Sequence, residues 1–350
     1  MFETLFCTHQ FWKATELYVK VASPRNKTCS KIIVFSMKTR CPLIFLGVLL
    51  AVLCVPPMFA QDETPPAEAP PVPTVDVTPD ANGNLTQEQM EKLLSVVADR
   101  DDANDKILRN YTYIERDEDH KLDSKGNTQS TESKTYEVLE IYGTQVRRQI
   151  EKNDKPLDQK EADKEEAKLQ KVIDERKNES ESKRKKRAEE EEKQRAEDRK
   201  FVHEIANAYN FKLVGTETLG GRDAWVISGE PRPGFESHVK YGNLLPKFHG
   251  RVWIDKADLQ MAKLDLEAID TVSLGLFLAR LHKGSRVEVE TTRVNDEVWL
   301  PQHVGAMVDV RLALLKEVRQ SQDQTFRDYK KFRTSAKIVG YGEVKEPEKK

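Results

Sequence analysis

Six histidines lie beyond His9, and their spacing gives no metal-ligand set: His120, His203, His238, His249, His282 and His303. His203-Glu204 opens like a zincin helix, where two histidines one turn apart bind zinc and the glutamate between them activates water. Asn207 stands where the second histidine must be. In Gly234-Phe-Glu-Ser-His238 a serine precedes a histidine, without the flanking glycines that let a nucleophile elbow turn sharply. Gly220-Gly221-Arg222 reads as a hairpin turn, not a phosphate loop. Paired carboxylates could do acid–base work, but among 59 acidic residues no pair stands out. The basic run Lys183–Arg187 is flanked by Glu179, Glu181 and Glu189–Glu192, so it reads as a solvated helix face and no nucleic acid is expected. The residues thus assemble no convergent polar constellation. The expectation is a protein that is not an enzyme and holds neither metal nor cofactor.

Apolar residues carry more information. Trp225, Trp253 and Trp299 each fall in a predicted strand, either as ordinary core or lining a cavity for an apolar ligand. Leu274, Phe277, Leu278 and Leu281 recur at i, i+3, i+4 and i+7, which predicts a short helix over 271–282 with one apolar face. That helix would be either a lid over a hollow or a plug of core. These seven residues are the candidate ligand-binding set.

The elements that must position them belong to only part of the chain. Charged residues reach 33% of the 350 and mean hydropathy is −0.67, so some of the sequence cannot enter a core. All four cysteines (Cys7, Cys29, Cys41, Cys54) precede residue 60, which excludes a cysteine nucleophile or thiolate zinc site downstream. Met37-Lys-Thr-Arg, the apolar run Leu43–Val55 and Met58-Phe-Ala60 form the three regions of an export signal, read as 37–60, with 1–36 an upstream extension. The apolar run is short for a bilayer span, so no stable transmembrane segment is expected once the signal is removed. Residues 1–60 carry seven basic and two acidic side chains, and their removal leaves 50 against 57, a net of −7. An acidic, cysteine-free exported chain suits a bacterial periplasm.

Residues 61–84 are proline-rich and read as a disordered tether. Thr86-Gln-Glu-Gln89 is a capping box that begins an amphipathic helix running to about Lys106. Alternating segments follow at 111–116, 136–143 and 145–150. Then comes 158–209, without glycine or proline, where 158–200 holds 15 acidic and 15 basic residues. This predicts one long charged helix, interrupted at most near Asn178–Ser182. Its middle would be solvated and its end, Phe201, Val202, Ile205, Ala208 and Tyr209, docked. Beyond Phe211 the pattern is β, and Ala262, Leu264, Leu266 and Ala268 alternate with Lys263, Asp265 and Glu267, the mark of an antiparallel sheet wet on one side. Residues 85–345 are expected to form a single domain, with 346–350 a tail.

Gly221-Arg-Asp-Ala-Trp-Val-Ile227, Gly250-Arg-Val-Trp-Ile-Asp255, Val298-Trp-Leu-Pro301 and Thr325-Phe-Arg-Asp-Tyr329 resemble the LolA/LolB-like outer-membrane lipoprotein-sorting superfamily. The resemblance covers roughly 105–155 and 211–330, and its motifs are structural. It implies an α+β fold: a curved antiparallel sheet, an unclosed half-barrel covered by helices, here with the long charged helix inserted between strands. It also implies a periplasmic binding protein for lipid or lipoprotein acyl chains. The alternative is an envelope scaffold or stress sensor that uses the half-barrel and long helix to contact a protein partner.

Overall fold

The computed structural model describes residues 73–332, apart from 143, 240, 275–278 and 313–315. Alternation of apolar with charged residues builds one antiparallel sheet of fourteen strands. In chain order these are β1 (Asn84–Leu85), β2 (Tyr111–Leu122), β3 (Thr128–Ile141), β4 (Thr144–Lys152) and β5 (Lys155–Pro156). After the helical segment come β6 (Tyr209–Leu219), β7 (Arg222–Pro231), β8 (Phe248–Asp255), β9 (Met261–Ala268), β10 (Val272–Leu274) and β11 (Ala279–Leu281). The last three are β12 (Arg286–Val294), β13 (Val298–Leu312) and β14 (Lys316–Lys331). Neighbours run β1-β6-β7-β8-β9-β12-β13-β14-β2-β3-β4-β5, so β14 returns beside β2 and the two ends do not meet. The sheet is an unclosed half-barrel with a few helices, as the sequence implies.

The turns have the chemistry they need. Gly220 and Gly221 join β6 to β7 with φ of 55° and 81°, and Asn295-Asp296 join β12 to β13 with φ of 50° and 56°. Positive φ at both central residues matches the right-handed twist of the strands. Helix α1 (Gln87–Leu108) starts at the expected box: Gln89 N–H donates to Thr86 Oγ1 (3.2 Å) and Thr86 N–H to Gln89 Oε1 (2.9 Å). Its apolar side buries Met90, Leu93 and Val97, and it packs along the second charged helix.

The charged segment breaks where the sequence allowed an interruption, giving two helices, α2 (Gln159–Lys177) and α3 (Glu181–Ala208); two other expectations are corrected. Asn178 ends the first, and Ser180 caps the second by accepting from Lys183 N–H. Glu179 ties them together through Arg176 (3.2 Å) and Arg187 (3.0 Å). The break thus falls where the short polar run Asn178-Glu-Ser180 lets side chains satisfy the backbone.

The described residues of 271–282 are not helical but form the paired strands β10 and β11, and β11 pairs with the outer end of β13 at Ala279–Leu312, Arg280–Arg311 and Leu281–Val310. Partner β12 covers β13 only as far as Met307. Without β11, the backbone groups of Val310–Leu312 on that edge would lack partners, and that demand outweighs a local helical period.

The tether ends earlier than expected. Within 73–84, Val77 is buried, Asp80 accepts from the N–H of Asn82 and Asn84 (both 2.8 Å), and Asn84–Leu85 adds a short edge strand to β6. Residues 1–72, including the export signal and the rest of the tether, lie outside the described residues.

Candidate ligand-binding face

Register shows what each face of the sheet is made of. One cross-strand row runs Leu213–Ile227–Val252–Leu264–Val289–Val304–Gln324–Asp117–Lys134, through strands β6 to β3. The next row on the same face runs Phe211–Gly229–Gly250–Leu266–Val287–Ala306–Gln322–Asp119–Glu132. Both are apolar up to β13 and polar from β14 onward. A methyl group on Gly229 would come within 3.2 Å of the Phe211 ring, and one on Gly250 would collide with Leu266 and the Asp265 carbonyl, so these glycines let large neighbours lie flat. Ile227 and Val289 are fully buried, whereas Val252, Leu264, Leu266, Val287, Val304 and Val308 are half-buried.

The opposite face carries the buried Ala224, Val226 and Trp253 on β7 and β8 and becomes a lattice of ions from β9 to β14. Lys263 bridges Glu288 and Glu290, Arg286 pairs with Glu267 (3.0 Å), and His303 and Arg319 meet Asp323 (3.1 Å) and Asp309 (2.7 Å). Such half-wet pairs contribute little stability each, but they keep this side in water and leave the first face as the apolar one.

On the apolar face the polar rows converge on β2. Arg147 Nη2 reaches both Glu115 Oε1 (2.7 Å) and Asp117 Oδ2 (2.6 Å), and the guanidinium stacks 4.0 Å over Tyr136. The Gln324 amide donates to Asp117 (3.0 Å) and that of Gln320 to Asp119 (2.7 Å). Tyr113, Phe326 and Tyr329 close the neighbouring volume, with Tyr113 and Tyr329 rings 5.1 Å apart. Burial pushes the Glu115 carboxyl up to about 8; Arg147 pulls the other way and the nearby Asp117 charge adds to the rise. Burial likewise raises Asp119, with the Gln320 hydrogen bond opposing it.

A carboxyl raised in the folded state holds its proton there after the unfolded chain has lost it. Its contribution is therefore fully present below pH about 4.5 and is lost as pH rises through 8. Thermal stability should fall between pH 5 and 8, and Glu115→Gln should flatten that slope and gain about 1–2 kcal/mol at pH 8. Paired melting curves across that range measure it. A slope unchanged in the variant would remove Glu115 as its source.

The seven candidates from the sequence separate. Leu281 is buried and registers on Val310, on the apolar face, and Leu274 pairs with Ala279 in β10–β11. Trp225, half-buried with Lys256 Nζ 5.9 Å from its ring, alternates onto the same face as Ile227. Trp253 and Trp299 instead pack together with Ala224, Val226 and Ala262, their indole N–H groups donating to Glu217 (2.8 Å) and Asp258 (2.9 Å). They are anchored core. Phe277 and Leu278 lie outside the described residues.

The two longest motifs owe their residues to one clamp. Arg222 donates to both oxygens of Asp255 (2.7 and 2.8 Å), which also accepts from Ala257 and Asp258 N–H. Asp258 in turn meets Arg222 (2.9 Å), Arg293 (3.1 Å) and Trp299. The sequence reading missed Glu115, Asp117, Arg147 and the glutamine series 320, 322, 324. The only local signal was carboxylates at alternate positions facing inward, invisible until β14 is placed beside β2.

No protein-family profile matches the chain, and no curated protein matches it in sequence. Among solved structures it is similar to a putative outer membrane lipoprotein-sorting protein domain from Vibrio parahaemolyticus, at 12% identity over 72% of this chain and 96% of that one, TM-score 0.28. A DUF1329 family protein from Desulfovibrio piger ATCC 29098 gives 12%, 72% and 95%, TM-score 0.23. A LolA superfamily protein from Nitrosomonas europaea gives 8%, 71% and 94%, TM-score 0.24. These likenesses concern fold. No helix among the described residues is long and apolar enough to cross a membrane.

Proposed function

We propose that this is a periplasmic, non-enzymatic protein that binds lipid or lipoprotein acyl chains on the apolar face of its half-barrel. One observation carries the reading: Val252, Leu264, Leu266, Val287 and Val304 sit on interior strands and are only half-buried, next to one another in register. A contiguous apolar surface left partly wet is unfavourable by roughly 25 cal/mol per Å², which an acyl chain lying across it would recover. Trp225 and Leu281 border the proposed seat.

The test is uptake of a fluorescent fatty acid by the full chain, against Leu264→Gln and Val287→Gln. Saturable binding is expected for the parent and at least about tenfold weaker binding for the variants, with smaller effects on thermal midpoint. Failure of the parent to bind any acyl probe would overturn the reading. The scaffold alternative draws on α3, where the side chains of Lys185, Lys186, Glu189 and Glu190 are 67–79% exposed and pair within the helix. A stoichiometric protein partner lost on neutralising these residues would favour it.

A further inference from the structure

The ionic side of the sheet is unevenly paired at the outer end of β13. There β11, β13 and β14 bring Arg280, Asp309, Arg311, Glu317 and Arg319 to one face, and His282, two residues on from Arg280, joins them. Arg319 holds Asp309 (2.7 Å) and Arg311 holds Glu317 (2.6 Å). Arg280 is different. Among the described residues its guanidinium pairs with no carboxylate, and it stands directly opposite Arg311. Opposed residues on neighbouring strands have Cβ atoms about 5 Å apart, and like charges so placed repel.

Two nitrogens here lack partners. Arg280 Nε and His282 Nε2 are buried and make no hydrogen bond. Buried polar atoms left unpaired are unfavourable and rare, so two of them on adjacent same-face residues mark a place for an acceptor. The backbone aims them firmly: His282 N–H donates to the Asp309 carbonyl (2.8 Å), and Ser285 Oγ donates to the His282 carbonyl (2.8 Å) while accepting from Asp309 N–H (3.2 Å). The cluster also converges on one carboxylate. Glu317 is held below the usual range by its hydrogen bond to Arg311 first, with the charges of Arg311, His282 and Arg319 adding to it.

The surrounding groups do not restore the balance. Strand β10 supplies Val272, Ser273 and Leu274, and the connections 275–278 (Gly-Leu-Phe-Leu) and 313–315 (Ala-Leu-Leu) contain no ionisable residue. Lys316 and Val318 alternate to the other face. On β12, Arg286 is engaged by Glu267 (3.0 Å) and Asp265 (3.4 Å). In the β2–β3 turn, Asp123 accepts from the N–H groups of Lys125 (2.8 Å) and Asn127 (2.9 Å), and Lys283 after β11 is an exposed cation. Arg280, Arg311 and Arg319 thus stand with His282 against Asp309 and Glu317 alone.

We propose that Arg280, His282 and Arg311 form a site for a phosphate group on the ionic side of the sheet, away from the acyl seat and independent of that reading. A phosphate group offers several strong acceptor oxygens, which suits Arg280 Nε, His282 Nε2 and the Arg311 fork together. Its charge relieves the repulsion between the two opposed guanidinium groups. Glu317, whose side chain is 58% exposed, is the neighbour it displaces from Arg311.

The full chain is titrated with inorganic phosphate at constant ionic strength, and separately with vesicles of phosphatidylglycerol or of phosphatidylcholine. Saturable phosphate binding is expected, weakened at least about tenfold by Arg280→Gln and less by His282→Gln, and strengthened about threefold by Glu317→Gln, which removes the competing carboxylate. Lys185→Gln on α3 removes the same charge elsewhere and should leave binding unchanged. Because Arg280 opposes a like charge, Arg280→Gln should keep or raise the thermal midpoint in phosphate-free buffer, which separates lost binding from lost folding. Capture on phosphatidylglycerol alone, in the same order of variants, identifies the phosphate as a lipid head group. A phosphate response in that order without capture identifies a soluble phosphate. No binding to either probe, or equal effects of Arg280→Gln and Lys185→Gln, overturns the site and leaves the acyl-binding reading standing.

Discussion

Replacing Asp255 by alanine is expected to lower stability by about 3–5 kcal/mol, the range for breaking one side of a buried ion pair. Asp255 is 1% exposed, and its two oxygens hold the Arg222 fork together with two backbone N–H groups of the β8–β9 turn. Alanine leaves the two N–H groups without that acceptor and the Arg222 fork with Asp258 alone, in a site that water reaches poorly. The turn also carries Asp258, which fixes Trp299 and Arg293, so loosening should spread into the Trp253–Trp299 cluster. Chemical denaturation with tryptophan fluorescence reads both effects, and Asp255→Asn should recover part of the loss because one oxygen still accepts. A loss below about 1 kcal/mol for Asp255→Ala would mean that the turn is held by its backbone alone.

Leu169→Ala is expected to cost about 2–4 kcal/mol, as for a large-to-small change in a packed core. From its sequence, α2 reads as a solvated strut whose removal should matter little. In the structure Leu169 is 2% exposed and packs against Leu139, Ile141, Val146 and Ile173, while Glu166 reaches Arg148 (3.5 Å). Helix α2 thus covers the apolar part of the β3–β4 hairpin, and without it Leu139 and Ile141 would face water. Lys185→Ala on exposed α3 is the comparison and should stay within about 0.5 kcal/mol. Equal effects from the two substitutions would restore the strut reading. The larger loss at Leu169 should appear as a midpoint lower by roughly 10 °C.

Much of this protein was legible in order along the chain, because period and turn chemistry are local properties. The Thr86–Gln89 box, the Gly220-Gly221 and Asn295-Asp296 turns, and the two-residue alternation through 261–268 each state their conformation within a few residues. They were enough to give an antiparallel sheet with helices; that the sheet is open was what the family resemblance implied. Where local period met a nonlocal demand, the nonlocal demand prevailed: Leu274, Phe277, Leu278 and Leu281 have a helical spacing, yet β13 offered an unpaired edge and took 279–281 as a strand. Few apolar residues did not mean little docking, since the single side chain of Leu169 finds a hairpin more than twenty residues upstream.

The polar margin of the apolar face was out of reach from sequence alone for a related reason. Glu115 and Asp117 lie about 30 residues from Arg147 and about 200 from Gln324, in a chain with 59 acidic residues, and nothing near them in sequence distinguishes them. Only the pairing of β14 with β2, the contact that joins the last long strand to the first, sets these carboxylates beside the apolar rows. Outside 271–282, sequence determined the elements and which side of each would be wet, because that depends on neighbours one and two residues away. The tertiary structure decided which faces became continuous, because register between distant strands is set by burial summed over the whole sheet.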